Sequence, residues 1–267
     1  MEFFYFMSIF IFGSAIGSFL GVVIERIPRE ESITKGRSYC ESCKRRLAPL
    51  DLIPLFSFLF LRGKCRYCKT KLSLYYPLVE FITGLLFVLV AFIFFGNNLL
   101  SVLTDTRSVV TLGALWYLSA SLVALFFIDL KYGILPFVII FPAMLVAVLW
   151  QMVVPGVDFF NLFLSACGAF LFFLLLFLAT KGRGMGFGDV VYAFLMGLLL
   201  GFPKIIFGLY IAFIGGAIIS LLLVALKRKK LSGGTVPFGP FLIAGTIISL
   251  LWGQELIAMV VRLTLHN

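Results

Sequence analysis

Acidic side chains near the ends of apolar segments are the chemically conspicuous groups of this sequence. Its 267 residues include only 12 Asp and Glu, and an ionisable group beside hydrocarbon is costly and commonly functional. Asp129 directly follows the apolar run 109–128, Asp189 begins a short apolar run, and Glu80 lies one to two turns inside another. We expect these three carboxyl groups to lie at a similar depth on one side of the protein.

Two aspartates at equal depth suit the activation of water. One carboxylate takes a proton from water while the other, protonated, polarises a carbonyl group. A helix start favours Asp189 as the ionised partner, and Gly186 and Gly188 before it would let a substrate backbone approach closely. Other roles stay open: Asp129 pairs with Lys131, Asp189 caps a helix, or both acids couple protons in a transporter.

Four of the five cysteines form two Cys-x2-Cys pairs, a spacing typical of a tetrahedral structural zinc site. The pairs are Cys40 with Cys43 and Cys65 with Cys68. The alternative of two disulfides requires an oxidising compartment. The surrounding loop is basic, yet the segment between the pairs, 51–61, is apolar and suits membrane helices or an apolar substrate better than nucleic acid. We therefore expect a zinc site and no nucleic-acid partner.

The composition places these residues in a membrane protein. The chain is 62% hydrophobic and 13% charged, with a mean hydropathy of +1.13, which excludes an ordinary soluble enzyme and a disordered chain. A helix needs about 20 apolar residues to cross the bilayer. We predict an all-α polytopic membrane protein with about eight transmembrane helices. The apolar runs lie near 3–24, 74–95, 109–128, 134–154, 159–180, 190–201, 205–226 and 241–261.

The basic residues predict the orientation of these helices. Of the 22 Lys and Arg, 19 fall in segments that one topology places inside: 25–73, 129–133, 181–189 and 227–240. This bias follows the positive-inside rule, so the net charge of +10 records topology and does not indicate nucleic-acid binding. It places both termini outside and a large loop in the cytoplasm.

We divide the chain into three parts on these grounds. Residues 1–24 form the first transmembrane helix, 25–73 the cytoplasmic zinc-binding loop, and 74–267 a membrane-embedded core. In the first helix Gly13, Gly17 and Gly21 form a stripe of small residues suited to close helix packing.

Six motifs follow one another along the chain: Gly17-Ser-Phe-Leu-Gly-Val-Val-Ile-Glu-Arg-Ile-Pro28, the two cysteine pairs, Tyr76-Pro-Leu-Val-Glu80, Asp129 with Ile134-Leu135-Pro136, Gly186-Phe-Gly-Asp189 and Pro237-Phe-Gly-Pro-Phe241. In this order they resemble the motifs of the type IV prepilin peptidases. The resemblance implies a Gly-x-Gly-Asp membrane aspartic peptidase with Asp129 and Asp189 as its catalytic pair. It also implies a location in the bacterial inner membrane, with the lipid bilayer and a pilin-like protein as partners.

The same resemblance implies the substrate and a second activity. The enzyme would remove the short basic leader of a prepilin or pseudopilin after a Gly, at the cytoplasmic face, in a pilus or type II secretion system. It would then methylate the new N-terminus with S-adenosylmethionine, with Glu80 and the zinc loop as candidates for that half.

Three residues depart from the family pattern. Phe137 stands where an acid or amide is common, Val191 where Lys is common, and Tyr75 where Arg is frequent. The alternatives are a proton- or metal-coupled transporter using Asp129 and Asp189, an inactive zinc-organised scaffold, and a peptidase that does not methylate.

Overall fold

Helices make up almost all of the regular structure. This computed structural model describes residues 2–96, 104–226 and 237–265. Most of the predicted inner segment 227–240, including its four basic residues, lies outside the described residues. Within them the α-helices are α1 (Glu2–Arg26), α2 (Phe56–Phe60), α3 (Tyr75–Phe95), α4 (Thr106–Tyr132), α5 (Phe137–Val153), α6 (Phe159–Ala179), α7 (Phe187–Leu200), α8 (Lys204–Ala225) and α9 (Gly239–Leu265).

The predicted class, an all-α polytopic membrane protein, is confirmed. Each of the eight apolar runs contains a helix, and in the described residues six helices are long and apolar enough to cross a membrane: α1, α3, α4, α6, α8 and α9. The other two, α5 and α7, have 17 and 14 residues. A full span was predicted at 134–154, but α5 is only about 26 Å long. It starts after Pro136 and ends before Val154, where the backbone is extended.

The chain divides into two compact units, residues 1–127 and 128–267. In the first unit the glycine stripe packs α1 against α3, as predicted. A Cβ atom at position 17 would lie 2.7 Å from the Glu80 Cα, and one at position 13 would lie 2.9 Å from the Gly84 Cα. The two helices therefore approach each other at backbone distance, which only residues without a Cβ allow.

Trp116 of α4 completes the packing of the first unit. Its indole Nε1 donates a hydrogen bond of 3.1 Å to the Phe87 carbonyl. Its ring stacks on the Phe87 ring with centroids 5.2 Å apart, and the Phe12 ring lies 5.6 Å away. Since Phe87 belongs to α3 and Phe12 to α1, one side chain joins three helices.

Helix α7 is the centre of the second unit. Its side chains are buried on all sides, as is typical of a helix enclosed by others. Its Gly197 lies directly against the Ala166 backbone of α6. The Tyr192 hydroxyl donates a 2.9 Å hydrogen bond to Thr246 of α9. These contacts fix the depth and rotation of α7, and hence of the aspartate in its first turn.

The contact between α1 and α3 yields a stability prediction. Gly17→Ala places a methyl group against the Glu80 backbone, and such overpacking costs about 1–3 kcal/mol. The matched control is Gly113→Ala in α4, where a Cβ meets nothing within 4 Å and helix propensity gains about 0.5–1 kcal/mol. Thermal unfolding followed by tryptophan fluorescence should show a lower Tm for Gly17→Ala only. Equal Tm values for the two variants would contradict this packing.

Candidate active site and metal centre

Asp129 lies in the last turn of α4 with 4% of its surface exposed. The Gly239 backbone N–H, at the start of α9, donates a hydrogen bond to its carboxylate. A Cβ atom at position 239 would lie 2.5 Å from the Asp129 Oδ2 and 2.9 Å from its Cγ. In the described part of the chain this Oδ2 is buried without a hydrogen-bond partner. Position 239 therefore needs glycine for its space, because a side chain there would collide with the carboxylate that its N–H contacts.

Asp189 is the third residue of α7 and is 7% exposed. The Gly186 N–H donates a 3.1 Å hydrogen bond to the Asp189 Oδ2, and the Asp189 N–H donates to the Gly186 carbonyl at 3.2 Å. The residue at the N-cap position is Gly186, so Asp189 is not itself the N-cap. Its carboxylate lies in the first helical turn, where the helix dipole favours a negative charge.

Leu135, in the loop between α4 and α5, lies between the surroundings of the two aspartates. A Cβ at Gly188 would lie 2.9 Å from the Leu135 Cβ, and a Cβ at Gly239 would lie 3.2 Å from the Leu135 Cδ1. The carboxyl groups of Asp129 and Asp189 interact electrostatically. The structure thus brings the two predicted aspartates together inside the second unit, in a buried environment.

Two of these neighbours, Gly239 and Leu135, were not predicted as site residues. Both fall inside sequence motifs, Pro237–Phe241 and Ile134–Pro136, and that is the only signal the sequence offers for them. In the structure, the space beside Gly188 is occupied by Leu135. The sequence had led us to expect a substrate backbone in this space.

Glu80 has partners of its own in the first unit. Its Oε2 accepts a 2.8 Å hydrogen bond from the Leu55 N–H, and its carboxylate also accepts one from the Ser18 hydroxyl. Ser18 belongs to α1, Glu80 to α3, and Leu55 to the segment between the cysteine pairs. Glu80 therefore attaches this segment to the helix pair.

Apolar packing occupies the three positions that depart from the family pattern. The Phe137 ring lies edge-on to the Phe187 ring, with centroids 6.3 Å apart. Val191 is buried in α7. The Tyr75 ring packs edge-on against Phe127, at 5.2 Å. At these positions the described structure has ring contacts or burial where the pattern has charged or amide groups.

The four paired cysteines converge in the first unit as free thiols. Their sulfur atoms all lie within 4.8 Å of one another, and the Cys40 and Cys68 Sγ atoms are 3.8 Å apart. A tetrahedron with metal–sulfur bonds of about 2.3 Å places its sulfurs about 3.8 Å apart. A hydrogen bond with Thr70 lowers the pKa of the Cys68 thiol to about 6. Despite a backbone hydrogen bond with Arg45, burial and the neighbouring Cys68 and Cys40 raise the pKa of the Cys43 thiol to about 11, so the four thiols affect one another's ionisation. The cluster can hold a metal ion, and disulfides are not what the structure shows.

The two cysteine pairs share one backbone design. In each, the first cysteine donates its N–H to a carbonyl five residues later at 2.9 Å, and accepts a bond from the N–H four residues later. That fourth residue, Lys44 or Lys69, has a positive φ of 55° or 59°. A β-bridge closes the turn around each cysteine pair, and we call these two turns, residues 39–46 and 64–71, the first and second knuckles. The bridges join Tyr39 to Arg46 and Lys64 to Lys71. The equivalent geometry aims all four thiols at one point.

Fold and site together define a multi-pass membrane protein with a buried aspartate pair and a four-thiol cluster. Residues 11–94 match the bacterial peptidase A24 N-terminal domain, and residues 116–221 match the type IV leader peptidase family. The chain belongs to the type IV leader peptidase family, which confirms the resemblance of its motifs. No solved structure matches it significantly.

Several curated relatives carry the name prepilin leader peptidase/N-methyltransferase. The relative from Aeromonas salmonicida is 32% identical over 281 residues, covering 94% of this chain and 92% of its own. The one from Bacillus subtilis is 31% identical over 259 residues, covering 96% and 98%. The one from Pseudomonas aeruginosa is 29% identical over 278 residues, covering 91% and 89%. The similarity therefore extends over nearly the full length of each chain.

The thiol cluster predicts a measurable metal content. The parent should purify with one bound metal ion per chain, and Cys40→Ser should lose it together with thermal stability, because a structural metal contributes folding free energy directly. Cys167→Ser is the control, since Cys167 lies in α6 and is not in the cluster. Elemental analysis of the purified proteins checks this. Full metal content in Cys40→Ser would exclude Cys40 as a ligand.

Proposed function

We propose that this chain is a membrane aspartic endopeptidase that removes the leader of type IV prepilins or pseudopilins and N-methylates the new N-terminus. The relatives that it matches over most of their length carry both activities in their name. The observation that carries the proposal is the placement of Asp129 and Asp189. Both are buried, both accept a glycine N–H, and their charges interact.

The environments of the two carboxyl groups suggest different roles. Two like charges close together in a buried site favour a state with one shared proton. Asp189 lies in the first turn of α7 and accepts the Gly186 N–H, so we assign it the negative charge. Asp129 then holds the proton and is kept in place by the Gly239 N–H.

These roles give a balanced hydrolysis. Asp189 takes a proton from water as the water oxygen attacks the carbonyl carbon of the leader's last Gly, while Asp129 hydrogen-bonds the oxygen of that carbonyl group. In the resulting tetrahedral intermediate the C–N bond breaks, and the departing amine takes the proton held by Asp189. The products are the leader's carboxylate and the free amino terminus of the mature protein.

The cysteine loop fits a structural zinc ion. Four sulfur ligands at tetrahedral separation leave no open position for a substrate or water, which is typical of structural zinc. The metal would hold the two knuckles of Cys40 and Cys65 together, with Cys43 and Cys68 completing the ligand set. Its chemical contribution is folding free energy rather than catalysis.

S-adenosylmethionine is the methyl donor that the second activity requires, but the described residues do not define its site. Its sulfonium and ammonium groups are cations, which carboxylates and the faces of aromatic rings bind. The Glu80 carboxylate is engaged with Leu55 and Ser18. These side chains are therefore given no role in methyl transfer.

The orientation follows from the basic residues. We place the protein in the bacterial inner membrane with both termini outside, residues 25–73 in the cytoplasm, and the peptidase core in residues 74–267. A prepilin whose basic leader lies in the cytoplasm then presents its scissile bond at the membrane boundary. A proton-coupled transporter is not favoured, because the relatives are named as peptidases.

Removing either carboxyl group should abolish leader cleavage. Asp129→Asn and Asp189→Asn each keep the shape of the side chain but lose the acid–base function, which is worth about 10²–10⁴-fold in rate. The control, Asp158→Asn, keeps a capping oxygen at the start of α6 and should cleave like the parent. Co-expression with a prepilin and mass spectrometry of its N-terminus measure cleavage and methylation separately. Cleavage by either site variant at a rate close to that of the parent would refute the aspartyl mechanism.

Substitution of Gly239 should impair leader cleavage, as substitution of either aspartate does. Gly239→Ala puts a methyl group against the Asp129 carboxylate, so the side chain must move, and we expect cleavage to fall about 100-fold or more. Gly215→Ala is the matched control, because its Cβ would make only an ordinary 3.8 Å contact with Phe241. The initial rate of leader removal by detergent-purified enzyme distinguishes them. Equal rates for the two variants would show that Gly239 does not set the position of Asp129.

A further inference from the structure

The loop that carries the first knuckle forms an open, solvent-facing cavity of about 440 Å³ in the first unit. All of its lining residues lie between the end of α1 and Arg46, which pairs with Tyr39 in the β-bridge of the first knuckle. The lining residues are Arg26, Glu31, Ser32, Lys35, Gly36, Arg37, Tyr39, Lys44 and Arg46. Five of the nine lining residues are cationic and one is acidic, so the cavity is strongly positive and suits an anion.

Two contacts hold the cations of this cavity in place. The Arg26 guanidinium donates hydrogen bonds of 2.8 Å to the Ser32 and Lys35 carbonyls, which folds the loop 32–35 over the end of α1. The Lys44 ammonium lies over the Tyr39 ring, 5.1 Å from its centroid. Two of the five positive groups, those of Arg26 and Lys44, are thus held in place by the fold.

We propose that this cavity binds the phosphate of an anionic membrane lipid headgroup. The first reason is its place in the chain. Arg26 is the last residue of α1, and the candidate membrane span that contains this helix ends three residues later, at Arg29. Lys and Arg clustered directly beyond a transmembrane helix lie at the depth of the headgroups, where anionic lipids attract them.

The second reason is an apolar surface on the same loop. Four large side chains between the knuckles are 58–84% exposed: Leu50, Phe56, Leu59 and Phe60. The hydrogen bond from the Leu55 N–H to Glu80 holds this segment beside the second turn of the membrane helix α3. Exposed apolar side chains at that level lose contact with water when they insert into the bilayer, which is favourable. Their insertion brings the loop and its basic cavity against the membrane surface.

The same charge argues against the other molecules that this protein would meet. A basic prepilin leader is repelled by five cations, and S-adenosylmethionine carries a sulfonium and an ammonium group. The lipid site therefore goes beyond the proposed function, and its test needs no enzymatic activity.

The two knuckles supply a matched pair of variants. Lys44 and Arg46 line the cavity, whereas Lys69 and Lys71 hold the equivalent positions in the second knuckle and do not. The full chain, with its metal, is placed in phosphatidylcholine nanodiscs containing graded fractions of phosphatidylglycerol, and bound lipid is counted by native mass spectrometry. The compared proteins are the parent, K44Q/R46Q and K69Q/K71Q, with metal content as the check of folding.

We expect the parent to retain phosphatidylglycerol over phosphatidylcholine, and K44Q/R46Q to lose affinity for it about tenfold. K69Q/K71Q, with the same change in charge, should stay within about twofold of the parent. Equal losses in the two variants, or no loss in K44Q/R46Q, would overturn the site. A final arm adds inorganic phosphate to the phosphatidylglycerol nanodiscs. Displacement of the lipid by millimolar phosphate would overturn the headgroup assignment in favour of a free anion.

Discussion

Burial of two carboxyl groups within one apolar helical unit is the constraint on which this structure depends. A carboxyl group that is removed from water needs hydrogen-bond donors in the protein, because otherwise its desolvation lowers the stability of the fold. Here glycine backbone N–H groups are the donors, Gly186 for Asp189 and Gly239 for Asp129. At position 239 a side chain would collide with the Asp129 carboxylate, so only glycine allows the donor to approach there, whereas a Cβ at position 186 would make an ordinary 3.8 Å contact with the Asp189 Oδ2.

The short helix α7 follows from the same constraint. Asp189 must lie at a fixed depth, so the helix that carries it is enclosed by its neighbours and tied by the hydrogen bond between Tyr192 and Thr246. The amide of Gln151 in α5 also donates to the Leu198 carbonyl. A helix of 14 residues covered on all sides needs no hydrophobic length matched to the bilayer.

In the first unit, a polar loop is attached to two membrane helices. Glycines bring α1 and α3 to backbone distance, and Glu80 then reaches from this contact to the Leu55 N–H. The four thiols hold the two knuckles on either side of the attached segment. One carboxylate and one four-thiol cluster therefore position a loop whose apolar and basic surfaces are both exposed.

The sequence by itself determined the helices, the glycine stripe, the thiol cluster and the two acids, because run length and residue spacing are local properties of the backbone. It did not determine the length of α5, the partners of Glu80, or the neighbours of the aspartates. Gly239 meets Asp129, and Leu135 fills the space at Gly188, although these residues are distant in the chain. Such contacts depend on how helices pack, and packing is decided only when all of them are in place.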